Sequence, residues 1–307
     1  MPLTRSGWSR HDLGMVVVSL IWGANFTANK YALDTIPPIA FGAARFLLAS
    51  ALLWVIVRWR GRPETVPPAT YRRLLLLGLI GNTGYQILFM VGLVSTTAVN
   101  ASLIMASMPI MVVVLGALSG IERASGRLWV GIGVATVGVA IVIAARGLTF
   151  STESLRGDGM ILAATVAWSV FTLGIRRYAV GLDPVHVTAI TTYGGTPGLV
   201  LMGWGELRRT PWLTLPAGAI GSLLYSTVLS SVVAYVLWST AVQGIGGNRT
   251  AIYNSLVPVV AVAVAWVILG EQLLPVQSAG AILVLAGVYL SQGTGRPAPM
   301  DPALMAE

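Results

Sequence analysis

Residues 81–89 read GNTGYQILF, and three of them carry groups that could hold a polar ligand. Asn82, Tyr85 and Gln86 stand at i, i+3 and i+4, the spacing of one helical face. Related stripes recur along the chain: Trp22, Asn25 and Asn29, then Thr165, Trp168 and Thr172. Thr227, Ser231, Tyr235 and Trp238 form another, with Tyr225 and Ser226 just before it, and Thr250, Tyr253 and Asn254 a last. Amides and hydroxyls form hydrogen bonds without bringing a charge, and aromatic faces hold apolar groups by contact. That is chemistry for holding a molecule. For a single Ser or Thr, a bond between helices is the simpler role. For stripes that combine aromatics with amides, a lined cavity is the expectation.

The missing groups narrow the chemistry further. All 11 acidic residues lie in tails, loops or the ends of apolar runs, so no midspan carboxylate stands ready as a proton relay or sodium ligand. The single lysine, Lys30, follows Asn29, which excludes a Gly-Lys-Ser/Thr phosphate loop. No Gly-x-Ser-x-Gly, His-Glu-x-x-His or dinucleotide fingerprint appears. Cysteine is absent and the two histidines, His11 and His186, are far apart, so neither a metal nor another cofactor is expected. Arg45 is the one charge clearly inside an apolar run. Snorkelling to the interface or capping carbonyls is its expected role, with carboxylate binding as the alternative.

The elements that position these residues are membrane spans. Of 307 residues, 55% are hydrophobic and 10% charged, well below the quarter typical of soluble domains. Ten apolar runs of bilayer-crossing length fall near 12–31, 39–58, 72–93, 99–119, 128–146, 158–177, 185–204, 217–238, 250–270 and 276–293. The first lacks the short core and small-residue site of a cleaved signal. With the N-terminus inside, 13 of the 19 Lys and Arg face the cytoplasm, five face outward, and Arg45 lies within a span. That asymmetry predicts two cytoplasmic termini. The net charge of +8 then reflects topology and contact with the lipid bilayer, and no nucleic-acid partner is expected.

The chain also repeats itself. Pro109 and Pro258, Glu122 and Glu271, Gly131 and Gly280, and Gly138 and Gly287 are each 149 residues apart. Tyr31 and Tyr178, like Pro37 and Pro184, are 147 apart, and Trp22 and Trp168 are 146 apart. Five spans per half, an odd number, would insert the second half upside down. The expected fold is therefore all-α and integral to the membrane: ten transmembrane helices as two inverted five-helix repeats around a central cavity. Its parts are an N-terminal tail (1–11), a first repeat (12–146), a connecting loop (147–157), a second repeat (158–293) and a C-terminal tail (294–307). Pro109 and Pro258 are expected to kink their helices and to free the carbonyls of Met105 and Asn254 for a ligand. The glycines near 131–138 and 280–287 read as helix packing.

Two motifs carry a resemblance. LIWGANFTANKYAL in the first span and YNSLVPVVAVAVAWVILGEQLLPVQSAGAILVLAGVYLS in the last two resemble the EamA-type members of the drug/metabolite transporter superfamily. The resemblance covers about residues 12–293 and is closest to that family's bacterial exporters of amino acids, aromatic ones among them. It implies an exporter in the bacterial inner membrane, with a central cavity to which Trp22 and Asn254 contribute at matching motif positions. The leading expectation is a secondary, alternating-access exporter of amino acids and similar amphipathic metabolites. Its substrate-binding candidates are Trp22, Asn25, Asn82, Tyr85, Gln86, Met105, Trp168, Tyr225, Tyr235, Tyr253 and Asn254. A multidrug or organic-cation exporter is the runner-up, a channel or a membrane enzyme is less favoured, and a monomer is expected.

Overall fold

A computed structural model describes residues 9–61, 65–95, 104–144, 155–269 and 275–291. Among these, the regular structure is helical throughout, with no strand. In chain order the helices are α1 (Arg10–Leu33), α2 (Pro38–Trp59), α3 (Pro68–Gly78), α4 (Tyr85–Ser95), α5 (Met108–Leu118) and α6 (Gly126–Ala144). They continue as α7 (Leu155–Tyr178), α8 (Pro184–Arg209), α9 (Ala217–Tyr225), α10 (Ala234–Ile245), α11 (Gly247–Ile252), α12 (Leu256–Leu269) and α13 (Pro275–Ser291). Glu271, matched to Glu122 by the repeat, lies outside the described residues.

The starts follow from local chemistry. Ser9 and Asp12 form a reciprocal capping box on α1, with the Asp12 N–H donating to Ser9 Oγ at 3.2 Å and the Ser9 N–H to Asp12 Oδ2 at 2.9 Å. Pro38, Pro68 and Pro184 open α2, α3 and α8, where the missing N–H costs no helical bond. Four helices among the described residues are long and apolar enough to cross a membrane: Pro38–Trp59, Pro68–Gly92, Leu155–Tyr178 and Ala217–Ile245. Shorter apolar helices occupy Met108–Leu118, Gly126–Val142 and Pro275–Ser291.

Two of the long helices are not uniform. Leu79–Gly84, between α3 and α4, and Ser226–Val233, between α9 and α10, are π-helical. Their first residues are 147 apart, the same offset as Tyr31 and Tyr178. Each inserts a wider i→i+5 turn at the same place in its half of the chain.

The two halves interlock. Helix α1 packs on α12 and α10, α2 on α8, α4 on α7, and α6 on α13, so each of these contacts joins one helix from either half. The α6–α13 contact is especially close. A Cβ on Gly138 would come within 2.7 Å of the Gly280 carbonyl oxygen, and one on Gly131 within 2.8 Å of the Gly287 carbonyl oxygen. Only glycine lets the backbones approach so far. Gly133, between them, faces open space and takes no part.

Candidate aromatic transport site

At the centre of the interlocked halves the large rings converge. Trp168 of α7 is 3% exposed and meets Trp22 of α1 at 5.8 Å between ring centroids, Tyr85 of α4 at 5.2 Å and Phe171 at 5.0 Å. It also meets Tyr235 and Trp238 of α10 at 5.4 and 5.7 Å. Trp22 reaches Trp238 at 5.2 Å and Tyr235 at 6.1 Å. Several of these pairs are edge-to-face or tilted, the arrangement that the ring quadrupole favours. Trp22 and Trp168, equivalent in the repeat, thus touch each other.

The π segments help to aim this cluster. Tyr85 is the first residue after Leu79–Gly84, and Tyr235 the second after Ser226–Val233. Both side chains reach Trp168. The Trp22 Nε1–H donates at 3.2 Å to the carbonyl of Ser230, inside the second π segment, where irregular backbone bonding leaves an acceptor open. Among the described residues, Trp168 Nε1 and Trp238 Nε1 have no acceptor.

The other predicted residues disperse. Asn82 is 0% exposed and its Nδ2 donates to the Thr191 carbonyl of α8 at 3.0 Å, so it ties two helices together. Gln86 is buried beside a narrow cleft lined by Pro38, Ile39, Gly42, Ile87, Met90 and Leu199. The cleft has room for about 10 Å³, on the order of one water molecule, far below the roughly 300 Å³ at which small-molecule pockets begin. Asn25 accepts a bond from Ser226 Oγ at 2.7 Å, and the Tyr225 hydroxyl donates to the Ile21 carbonyl at 3.0 Å, so both fasten α1 to the α9 end. Tyr253 is 0% exposed and lies in a different cluster: its hydroxyl donates to Asp12 Oδ1 at 2.6 Å, and Arg249 Nη2 contacts both Asp12 oxygens at 2.9 Å. Asn254 is half-buried on the 3₁₀ turn Tyr253–Ser255, and Met105 packs against the main core.

Pro109 is the second residue of α5 and Pro258 the third of α12. Each therefore stands in the first turn of a helix that follows a break, at Ala106–Ser107 and at the 3₁₀ turn, rather than inside a continuous helix. The Tyr253 carbonyl, one residue before Asn254, accepts the Ser19 hydroxyl at 3.0 Å.

Three groups enter the site beyond the substrate-binding candidates. Trp238 stands on the same stripe as Tyr235, and Phe171 follows Trp168 by three residues, so helical spacing could have found it. The third is Arg45, which is 4% exposed and lies with its Cζ 5.3 Å from the Phe46 ring centroid. Phe46 in turn packs on Tyr235 at 6.3 Å. Among the described residues Arg45 is buried and caps no carbonyl.

Away from the rings, Glu122 accepts the Gly247 and Asn248 amide protons at 2.7 and 2.8 Å and pairs with Arg176 at 3.1 Å. It fixes the start of α11. Asp183 caps α8 through the Val185 N–H at 3.0 Å and meets Arg60 at 2.7 Å. Burial raises its carboxyl pKa, but that bond, Arg60 and His186 outweigh burial and hold it below the ordinary value.

Comparison with known proteins matches the pattern of the EamA-like transporter family twice, over residues 10–144 and 155–292. The chain is 30% identical over 298 residues to a Salmonella typhimurium protein named a probable amino-acid metabolite efflux pump, covering 92% of this chain and 95% of that one. It is 29% identical over 293 residues to a probable terminal-alkyne amino-acid exporter of Streptantibioticus cattleyicolor, covering 94% of each. It is 28% identical over 284 residues to the transporter YyaM of Bacillus subtilis, covering 91% of this chain and 92% of the relative. A solved crystal structure superposes with a TM-score of 0.76 at 17% identity, over 93% of this chain and 98% of the other. That likeness concerns the fold.

Proposed function

The chain belongs to the EamA-like transporter family, and from that premise we propose that it exports amino acids and similar amphipathic metabolites across the bacterial inner membrane. It is a membrane transporter and not an enzyme. The observation that carries the substrate class is the ring cluster joining Trp22, Tyr85, Trp168, Tyr235 and Trp238. Aromatic walls suit an apolar side chain, and the free Trp168 and Trp238 N–H groups suit its polar head. The relatives named a probable amino-acid metabolite efflux pump and a probable terminal-alkyne amino-acid exporter support the same reading.

Our reading of the topology is ten spans in two inverted repeats, 12–146 and 158–293, with both termini cytoplasmic and the protein acting as a monomer. The α6–α13 contact supports the inversion. Gly131 meets Gly287 while Gly138 meets Gly280, the reciprocal pairing that a twofold relation between equivalent positions produces. With the N-terminus inside, the Asp12–Arg249–Tyr253 cluster closes the cytoplasmic end, tying α1 to α11 and the turn after it. Export by alternating access then requires that tie to open so that substrate can enter between the rings.

Reconstitution tests the proposal. Proteoliposomes loaded with tryptophan or methionine should exchange the labelled amino acid with saturable kinetics, with and without a proton gradient. Linear, unsaturable flux would indicate a channel, and saturable exchange of organic cations alone would favour the multidrug reading. A reporter fused after Glu307 should read as cytoplasmic, and a periplasmic signal would remove the inverted repeat.

A further inference from the structure

We propose that Arg45 is the carboxylate receptor of the transport site, so that the exporter selects substrates by an anionic head group beside an aromatic or apolar side chain. The inference rests on the amino-acid export reading and names the group that would enforce it.

Arg45 lies seven residues into α2, 4% exposed, with its guanidinium near the Phe41 and Phe46 rings at 5.8 and 5.3 Å. Phe46 in turn packs on Tyr235 of the ring cluster, at 6.3 Å between centroids. Among the described residues Arg45 makes no hydrogen bond and no ion pair, and its Nε is buried without a partner. A guanidinium offers five N–H donors and no acceptor. Buried charges are ordinarily paired, because desolvation is costly without compensation. Ring faces offset part of that cost but satisfy none of the N–H groups in the plane of the guanidinium.

Two rings of the cluster, Trp168 and Trp238, also carry unpartnered Nε1–H donors. A planar anion with two acceptor oxygens complements the guanidinium, since carboxylate and guanidinium match in a two-bond fork. One fixed positive charge calls for one negative charge. The same guanidinium repels an organic cation, which sets this site apart from a cation exporter.

A narrow cleft lies on the same helical face. Pro38, Gly42 and Arg45 stand at i, i+4 and i+7 on one face of α2, and Pro38 and Gly42 line the cleft beside Gln86. A Cβ on Gly42 would meet nothing within 4 Å.

Competition against labelled tryptophan in proteoliposome exchange tests this, using indole-3-propionate, tryptophanamide and tryptamine, with methionine and its amide in parallel. In the wild type, indole-3-propionate should compete about as well as tryptophan, while the amide and the amine compete roughly 10- to 100-fold less well. Arg45→Gln should bring acid and amide to within about twofold of each other, and Arg45→Lys, which keeps the charge, should restore part of the preference. Should Arg45→Gln fail to fold, the wild-type acid-to-amide ratio and Arg45→Lys still decide the matter. A wild type that exchanges amino acids but treats acid and amide alike overturns the inference and leaves the exporter reading standing. An Arg45→Gln protein that keeps the full preference, or loses acid and amide equally, overturns it too and leaves Arg45 as a structural pin. A wild type that exchanges no amino acid defeats both readings together.

Discussion

The face shared on paper by Asn82 and Tyr85 is split by the fold, and that split can be measured. Tyr85 contributes a ring to the cluster, 5.2 Å from Trp168 and 5.9 Å from Phe89. Losing an aromatic contact to substrate is worth on the order of 1–1.5 kcal/mol, which converts to about tenfold in affinity. Tyr85→Ala should therefore raise KM about tenfold, and Tyr85→Phe, which keeps the ring, far less. Asn82 contributes a bond to Thr191 of α8 and also carries a buried oxygen, Oδ1, with no partner. Interhelical hydrogen bonds in membranes average about 0.6 kcal/mol and reach about 1.7. Replacing Asn82 by Leu removes that gain and the unpartnered oxygen together, so the two effects oppose each other. Asn82→Leu should leave KM within about twofold and shift thermal stability only slightly. The assays are initial-rate exchange in proteoliposomes and melting in detergent. Thiol labelling gives a second reading, because the chain has no native cysteine. Gln86→Cys, beside the cleft, should react with an impermeant reagent, while Asn82→Cys stays silent. A tenfold rise in KM for Asn82→Leu with unchanged melting would refute this division of roles.

Three further outcomes are expected. Gly138→Ala should destabilise the protein by about 1–3 kcal/mol, because its Cβ would meet Gly280 and Val284 backbone atoms at 2.7 Å; Gly133→Ala, with nothing within 4 Å, should be neutral or slightly stabilising, and equal melting points for the two would sink the argument. Asp183→Ala should cost about 1 kcal/mol near pH 7 through loss of the α8 cap. Since the folded carboxyl titrates below its ordinary value, that stabilisation is present above the unfolded pKa and lost as pH falls through the lowered one; melting curves of variant and wild type should converge in acid, and a gap that widens there would contradict the assignment. Trp168→Phe should keep expression near wild type yet impair exchange, because it retains a ring among five neighbours but removes the unpartnered Nε1–H; a parallel fall in protein level and transport would mark Trp168 as packing alone.

What could be read from the residues divides along a physical line. Hydropathy and helical spacing are local, so the helices and the packing role of the small residues on α6 and α13 follow from the chain alone, while their pairing with each other does not. The meeting of Trp22 with Trp168 was accessible for another reason: equivalent positions in a duplicated chain tend to meet near its symmetry axis. Tyr253 was not accessible, because its role depends on Asp12, 241 residues away. Nor was the burial of Arg45 beside Phe41 and Phe46 of its own helix, which local spacing does not reveal. The π segments are the most instructive failure. Ordinary helical arithmetic advances about 100° per residue, so one extra residue in a turn rotates everything downstream by about that much. Leu79–Gly84 introduces such a turn immediately before Tyr85, and nothing in its composition announces it. Asn82, inside the segment, consequently faces α8, while Tyr85, just after it, faces the rings. Ser226–Val233 repeats the device before Tyr235. An irregular turn of this kind holds fewer standard bonds than the helix around it, so it persists only where the redirected side chains contribute more than it costs. Its recurrence at one offset, each time ahead of a tyrosine that reaches Trp168, ties the irregularity to the site and not to the bundle.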